Sequence, residues 1–404
     1  FKFGLCRFQI TCIFVHKKMK FVPRTLAGPL NIQAGKYPVL ALTGPRQSGK
    51  TTLLREMFPE YTYVSLENLN ERLFALEDPI GFLDTYPERV IFDEAQQAPE
   101  LFSYIQGRVD KRQMMGQYIL SGSQNFHLIQ HITQSLAGRV ALFQLLPFDF
   151  SELKAAHILP DDWLDAATNG FYPALFDRGN DPSFFYHNYI KTYIERDVSQ
   201  LEQVKDLRLF RNFLTLCAGC AGQLLNVSHL AKESGISYHI ARQWLSILES
   251  SYIIFQLPPY FQNFSKRTIK SPKLYFYDTG LLAFLLGIRS LNTDVDQELH
   301  GSIFENMIVA ELYKQNHHQL LLKEFFFWRD SNGNECDLLI PSGKIFDLFE
   351  IKAGRTVYPR HFQGMDFFDK VSDGRTRHKT LIYGGQESQN RTNHRVRGWQ
   401  ECEA

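Results

Sequence analysis

Eight consecutive residues, Gly44-Pro45-Arg46-Gln47-Ser48-Gly49-Lys50-Thr51, carry the complete G-x-x-x-x-G-K-[ST] pattern. Glycine at both ends of the turn lets backbone N–H groups curl around phosphate oxygens. The helix expected from Thr51-Thr52-Leu53-Leu54 onward adds the positive end of its dipole. In such a loop Gly44 through Thr52 line the phosphates, Lys50 reaches the β- and γ-phosphates, and the Thr51 hydroxyl ligates Mg²⁺. Arg46 is either a further phosphate contact or a solvated side chain. Further along, Arg89-Val90-Ile91-Phe92-Asp93-Glu94 reads as a buried strand ending in two carboxylates. Packing does not account for that ending, because an unpaired buried charge is expensive. Beside the phosphate loop, Asp93 is expected to hold Mg²⁺ through water and Glu94 to polarise the attacking water. The ligand expected of both motifs together is ATP with Mg²⁺.

A second constellation lies near the C-terminus, in Asn334-Glu335-Cys336-Asp337 and Leu348-Phe349-Glu350-Ile351-Lys352, joined through a turn at Pro341-Ser342-Gly343-Lys344. The hairpin brings Asp337 across from about Leu348–Glu350, and the two-residue period puts Glu350 and Lys352 on one face. Two carboxylates and a lysine at a sheet end suit a divalent cation and a water aimed at a phosphodiester. The same residues also make a salt-bridge cluster with no catalysis. Cys217 and Cys220 form a C-x-x-C with no second pair nearby, which favours a packed core over a metal site.

These residues need elements to hold them. From Pro38 to about Leu146, β-rich runs (Val39–Thr43, Tyr61–Leu66, Val90–Asp93, Tyr118–Ser121, Val140–Leu145) alternate with helical stretches such as Thr51–Phe58 and Glu100–Arg112, the pattern of a parallel α/β sheet. The expected division is 19–146 for this core, 147–212 for a helical lid or connector, 213–288 for a winged helix and 295–404 for a C-terminal α/β domain. Residues 1–18 fit no element that follows, and translation is expected to begin at Met19. In the third zone, Asn226–Ser234 and Tyr238–Ser250 read as a helix-turn-helix with Ser237 as N-cap. Ile240, Trp244, Ile247 and Leu248 face inward, leaving Tyr238, His239, Arg242, Gln243 and Ser246 outside. Wing strands are expected at Tyr252–Gln256 and Lys273–Tyr277. Between them Lys266, Arg267, Lys270 and Lys273 form a basic loop with Phe261 and Phe264, suited to DNA or to a protein partner.

The paired motifs resemble the AAA-type branch of P-loop ATPases, whose Walker A and Walker B motifs they match. By that resemblance Tyr118-Ile119-Leu120-Ser121-Gly122-Ser123-Gln124 is a sensor strand, with Ser123 and then Gln124 as the polar residue facing the γ-phosphate. Arg139, in Ser135-Leu136-Ala137-Gly138-Arg139, is a finger for a neighbouring subunit, implying a homo-oligomer. The alternative is an arginine paired with a carboxylate of its own chain. The C-terminal signature resembles the restriction-endonuclease-like fold, which implies that Glu305 supplies an acid from the preceding helix. The order of parts is similar to a prokaryotic family of AAA-type ATPases with a C-terminal domain of unknown function. Ile91-Phe92-Asp93-Glu94-Ala95, Tyr193-Ile194-Glu195-Arg196-Asp197 and the Phe-Trp-Arg…Glu-Ile-Lys region carry that similarity.

Composition narrows the partners. Forty-four basic against 43 acidic side chains leave a net charge of +1, so any nucleic-acid surface must be a local patch. No apolar run approaches the ~20 residues of a membrane helix. Six cysteines without disulfide-like spacing suit a reducing compartment. A cytoplasmic protein without a membrane partner is expected. Three functions follow: an ATP hydrolase that repositions its C-terminal parts on nucleic acid, an ATP-binding scaffold for protein contacts, or an ATP-licensed nuclease.

Overall fold

A computed structural model describes residues 21–123, 132, 134–177, 179–194, 206–260, 271–288 and 297–403. Residues 1–18, Gln124, Phe261, Phe264, Lys266, Arg267, Lys270 and Glu195–Asp197, all singled out above, lie outside the described residues.

Five strands, β1 (Val39–Thr43), β2 (Thr62–Ser65), β3 (Val90–Asp93), β4 (Tyr118–Gly122) and β5 (Val140–Gln144), form an all-parallel sheet in the order β2-β3-β4-β1-β5. Alternate residues feed opposite faces, as the strand period requires. Val39, Ala41, Val90, Phe92, Tyr118 and Leu120 pack with Leu101, Phe102 and Ile105 of the helix Leu101–Arg112. Leu40, Leu42, Ile91 and Ile119 pack on the other face with Leu53 and Leu54 of the helix Lys50–Met57, Leu30 of the helix Ala27–Ala34 and Leu26 at its N-cap. Covering both faces explains why these strands are nearly continuous apolar runs. In open parallel sheets ligands sit beyond the carboxyl ends of the strands, and there β1 runs into Gly44, β3 ends at Asp93 and β4 leads to Ser123.

From Phe150 to Ser250 the described residues are mainly helical. Helices Val227–Ser234 and Tyr238–Ser250 are joined through Gly235-Ile236-Ser237. Asn226 caps the first, and the Ser237 hydroxyl accepts from Ile240 N at 3.2 Å to cap the second. Trp244, Ile247 and Leu248 are buried, while Tyr238, His239, Arg242 and Ser246 are exposed. β6 (Ile254–Leu257) and β7 (Lys273–Phe276) pair antiparallel, with Leu257 opposite Lys273.

The last sheet has six strands in the order β12-β13-β11-β10-β9-β8: β8 (Phe326–Arg329), β9 (Glu335–Ser342), β10 (Ile345–Lys352), β11 (Thr376–Tyr383), β12 (Gln389–Asn390) and β13 (Arg395–Gly398). The hairpin turn is shorter than the sequence suggested. Pro341 and Ser342 belong to β9 and pair with Phe346 and Ile345, so only Gly343 and Lys344 turn. Pro341 is tolerated because β8 reaches only as far as Leu339, so no neighbour needs its missing N–H. The long helix Gln297–His318 covers one face through Ile303, Phe304, Met307 and Ile308. The helix Gln363–Val371 covers the other through Met365 and Phe368.

The stretches 147–212, 213–288 and 295–404 share one apolar core. Phe150, Trp163, Tyr186, Phe213, Trp244, Tyr275, Phe304, Leu338 and Trp399 all belong to it. The middle unit is also tied to the last sheet through backbone, because Tyr260 N donates to Phe327 O at 2.7 Å and Phe327 N donates to Pro258 O at 3.1 Å. Cys217 is buried in this core with a thiol pushed up by burial, and Cys220 beside it is also a free thiol.

Candidate nucleotide site and a carboxylate cleft

The phosphate loop depends on backbone that side chains would spoil. Gly44 has φ +149°, and a Cβ there would collide with the carbonyl oxygen of Leu145 on the strand beside it. Gly49, at φ +94°, lies against the Arg24 guanidinium. The Lys50 ammonium folds back over the loop, donating to Gly44 O and Pro45 O at 2.9 Å each. The Thr51 hydroxyl donates to Asp93 Oδ2 at 2.9 Å, and Tyr63 OH donates to the same oxygen at 2.5 Å. The other Asp93 oxygen accepts from the Ser121 hydroxyl and, at 3.2 Å, from Glu94 N. Burial, and then Asp93 beside the hydroxyl, raise the Tyr63 phenol well above its usual range. The phenol therefore stays a donor, and these hydrogen bonds fix the orientation of the Asp93 side chain.

Glu94 takes the left-handed conformation, φ +52°, which turns its side chain off the strand end. Its Oε2 accepts from Ser123 Oγ at 3.1 Å and from the Gln96 amide. Lys50, Thr51, Thr52, Asp93 and Glu94, with Arg24, Arg46, Gln47 and Gly49, line a cavity of about 1000 Å³, at the upper end of the range for small-molecule sites. Ser48 Oγ is buried in the loop without a hydrogen-bond partner. A cradle of this shape, a lysine and an oriented hydroxyl–carboxylate pair fit a nucleotide phosphate with its Mg²⁺. Arg46 contacts Glu67 at 3.8 Å at the rim. Arg139 is not among the cavity-lining residues. Its guanidinium forks onto Asp110 of the same chain, with Nε to Oδ1 at 2.5 Å and Nη2 to Oδ2 at 2.9 Å, which is the within-chain alternative.

A second cleft, of about 520 Å³, lies between the middle unit and the last sheet. It is lined by Lys273, Glu305, Arg329, Glu335, Asp337, Glu350 and Lys352, with backbone at Gly222–Leu224. Glu305 comes from the long helix, Asp337 from β9, and Glu350 and Lys352 from β10, so all four residues expected here are brought together. Lys352 Nζ lies 3.2 Å from Asp337 Oδ2 and 2.7 Å from Glu350 Oε1. Asp337 also accepts from Ile351 N at 2.8 Å. Burial and then the neighbouring Asp337 push Glu350 up to about 8. Burial opposes the charge of Asp337, yet Lys352 and Lys273 hold its carboxyl below the usual range. Glu350 Oε2 is buried without a partner.

Lys273 corrects the sequence reading. Expected at the end of a basic loop suited to DNA or to a protein partner, it starts β7 with only 4% of its side chain exposed, and its ammonium lies 2.9 Å from Glu305 and 2.5 Å from Glu335. The reason is register: pairing with Leu257 on one side and with Leu224 on the other points Lys273 into the carboxylates, where a charge is paired rather than hydrated.

Residues 36–154 match the family model of the AAA domain, and 160–292 and 300–400 match two domains of unknown function, DUF8612 and DUF4143. The uncharacterized protein Rv2008c of Mycobacterium tuberculosis is 32% identical over 356 residues, covering 86% of this chain and 76% of its own length. Its Mycobacterium bovis counterpart Mb2031c matches equally. The chain belongs to their family. Among solved structures, the Walker-type ATPase PABY2304 of Pyrococcus abyssi is similar at 17% identity, covering 64% of this chain and 94% of that one, with a TM-score of 0.41. AMPPCP-bound DnaA from Aquifex aeolicus follows at 14% identity, covering 55% and 85%, with a TM-score of 0.30.

This AAA-domain protein thus has a P-loop ATPase domain at its N-terminal end. Among the described residues no helix is long and apolar enough to cross a membrane.

Sequence reasoning missed the clamp behind the AAA domain's loop. Arg24, buried just before the first helix, donates to Ser48 O and Leu146 O at 2.7 Å each and to Glu152 Oε1 at 3.0 Å. Glu152 also accepts from Thr25 N at 2.8 Å and completes a capping box with Asp149. Asp149 Oδ2 meets His318 Nδ1 at 2.7 Å, and His318 Nε2 accepts from Leu146 N at 3.2 Å. Lys314 Nζ donates to Phe148 O at 2.7 Å. The segment after β5 is thereby fixed to the phosphate loop on one side and to the long helix on the other. Asp149, Glu152 and His318 have metal-ligand spacing, but the hydrogen bonds just named already engage these ligand atoms. No local pattern announces this network, since Arg24 and Glu152 stand 128 residues apart.

His317, beside that network, supplies a pH test. Burial, then His318, push its imidazole down to about 4 from 6.5. A lowered pKa means the unfolded chain binds the proton more tightly. The contribution to stability is therefore full above 6.5 and is lost as pH falls through 4, by about 3 kcal/mol in all. In urea titrations across that window, His317→Gln should lose less stability than the wild type.

Proposed function

We propose that this chain is a Mg²⁺-dependent ATP hydrolase whose nucleotide state governs a C-terminal module made of a winged helix and a nuclease-like domain. The observation that carries the reading is the Thr51–Asp93 contact at the base of the Lys50 loop, with Glu94 next in the chain and turned away by its backbone. In this reading Lys50 and the loop amides hold the phosphates, Thr51 and Asp93 hold the cation, and Glu94 orients the attacking water while Ser123 positions Glu94. Mg²⁺ supplies charge neutralisation on the β- and γ-oxygens. The domains are proposed as 19–146 for the ATPase core, 147–212 for the connector, 213–288 for the winged helix and 295–404 for the nuclease-like part.

The exposed face of the helix Tyr238–Ser250, with Tyr238, His239 and Arg242 outward, supports DNA as the partner of the middle unit. The cleft supports a second activity, cation-dependent phosphodiester cleavage. Asp337 and Glu350 would hold a divalent ion and Lys352 would orient water, with the unpartnered Glu350 oxygen as the observation that favours it. Steady-state ATP turnover with Mg²⁺, for wild type and Lys50→Ala, with and without duplex DNA, tests the main reading. Turnover that vanishes in Lys50→Ala and rises with DNA is expected. Turnover that ignores DNA would move the partner to a protein. ATP bound without turnover would favour a nucleotide-binding scaffold.

A further inference from the structure

Four carboxylates converge on the second cleft, a number that in principle serves two divalent ions. Its two halves differ in charge and in rigidity. On one side Glu305 and Glu335 face Lys273 and Arg329, two carboxylates against two cations. Lys273 reaches both acids, Arg329 Nη1 lies 3.3 Å from Glu335, and Tyr275 OH donates to the same Glu305 oxygen as Lys273 at 2.6 Å. On the other side Lys352 lies between Asp337 and Glu350, one cation against two carboxyls in direct contact.

The two lysines are held differently. Lys273 is clamped by backbone on both flanks: it pairs with Leu257 across β6 and bridges to Leu224, while Leu225 N donates to Pro272 O at 2.8 Å. Its ammonium lies 5.5 Å from the centre of the Phe327 ring, and the middle unit that carries it shares a core with the last sheet. Withdrawing it would take from Glu305 and Glu335, partly buried at 19% and 22% side-chain exposure, the ammonium they share. Lys352, at the end of β10, has 36% of its side chain exposed. A divalent ion entering there shifts the Lys352 ammonium aside and meets carboxylate oxygens of Asp337 and Glu350, among them the unpartnered Glu350 Oε2.

We propose that the cleft takes one divalent cation, on its Asp337–Glu350 side, and that Lys273 from the middle unit permanently fills the place of a second. The inference rests on the cation-dependent reading of this cleft. It makes the site a composite of the middle unit and the last sheet. Lys273 is then a positioning residue that holds Glu305 and Glu335 in place.

The test counts Mn²⁺ ions bound to the full-length chain by electron paramagnetic resonance, without nucleotide and in an Asp93→Asn background that removes the carboxylate of the nucleotide loop. One ion is expected, lost in Glu350→Gln and retained in Glu335→Gln. A folded Lys273→Met chain, checked by its melting temperature, should bind two. Two ions in the parent chain, with one lost in Glu335→Gln, would overturn the inference, as would a folded Lys273→Met chain that still binds one. No ion sensitive to Glu350→Gln would overturn the cation reading itself, a different failure. If Lys273→Met does not fold, the Glu335→Gln count still decides.

Discussion

Replacing Glu94 with Gln should lower steady-state ATP turnover by about 10²–10⁴-fold, the usual worth of a positioned general base, while ATP binding persists. The amide keeps the size of the side chain and the Ser123 and Gln96 contacts have hydrogen-bonding alternatives, so the loop and the Thr51–Asp93 pair should stand unchanged. What the amide removes is the ability to accept a proton from water. Single-turnover mixing with radiolabelled ATP separates the two quantities: bound nucleotide should accumulate uncleaved. A variant that turns over like the wild type would exclude Glu94 as the base and shift attention to Asp93. Loss of binding instead of turnover would mean that the left-handed backbone at Glu94 shapes the phosphate pocket directly.

Replacing Arg24 with Met should destabilise the fold by about 3–5 kcal/mol, because removal of one partner leaves Glu152 buried and unpaired. Arg24 and Glu152 are 5% and 2% exposed, so hydration cannot make good the loss. The same change removes the donor on Ser48 O, and ATP affinity should fall about tenfold, the worth of a hydrogen bond to a charged group. Combining Arg24→Met with Glu152→Gln should restore much of the stability but not the affinity, because only the first partner touches the loop. Urea unfolding and nucleotide titration on the four chains of that cycle give both numbers. A cost under the range for surface pairs, below about 1 kcal/mol, would show that the clamp does not hold the loop to the rest of the chain.

The two halves of the nucleotide site differ in how they could be found. The loop is contiguous, and its chemistry is local: glycine conformations, a lysine and a hydroxyl within eight residues. The end of β3 is equally plain, since an apolar run closing on Asp-Glu has few structural readings. Ser121 and Tyr63, which orient Asp93, have no such mark. Each is an ordinary strand residue whose partner is chosen by sheet order, β2-β3-β4-β1-β5, and that order brings β2, β3 and β4 side by side. Arg139 has no local mark either: a resemblance offers it a neighbour's phosphate, and within the chain its guanidinium forks onto Asp110 of the helix Leu101–Arg112.

For the second cleft, alternation along β9 and β10 was enough to bring Asp337, Glu350 and Lys352 to one end, because the strand period is local and a hairpin sets its own register. Lys273 and Glu335 were not legible there. Lys273 lies 32 residues from Glu305 and on another unit, and in sequence it stands among basic residues that read as a loop for DNA or a protein partner. Sequence alone determined the strand and helix pattern, the phosphate loop and the carboxylates that face it, since each follows from backbone conformation and side-chain periodicity within a few residues. Tertiary structure decided which charges share a cavity, that Arg24 grips the loop from behind, and that the middle unit and the last sheet share one core. Partners for buried charges are selected by the packing of segments far apart in the chain, and no local pattern encodes that choice.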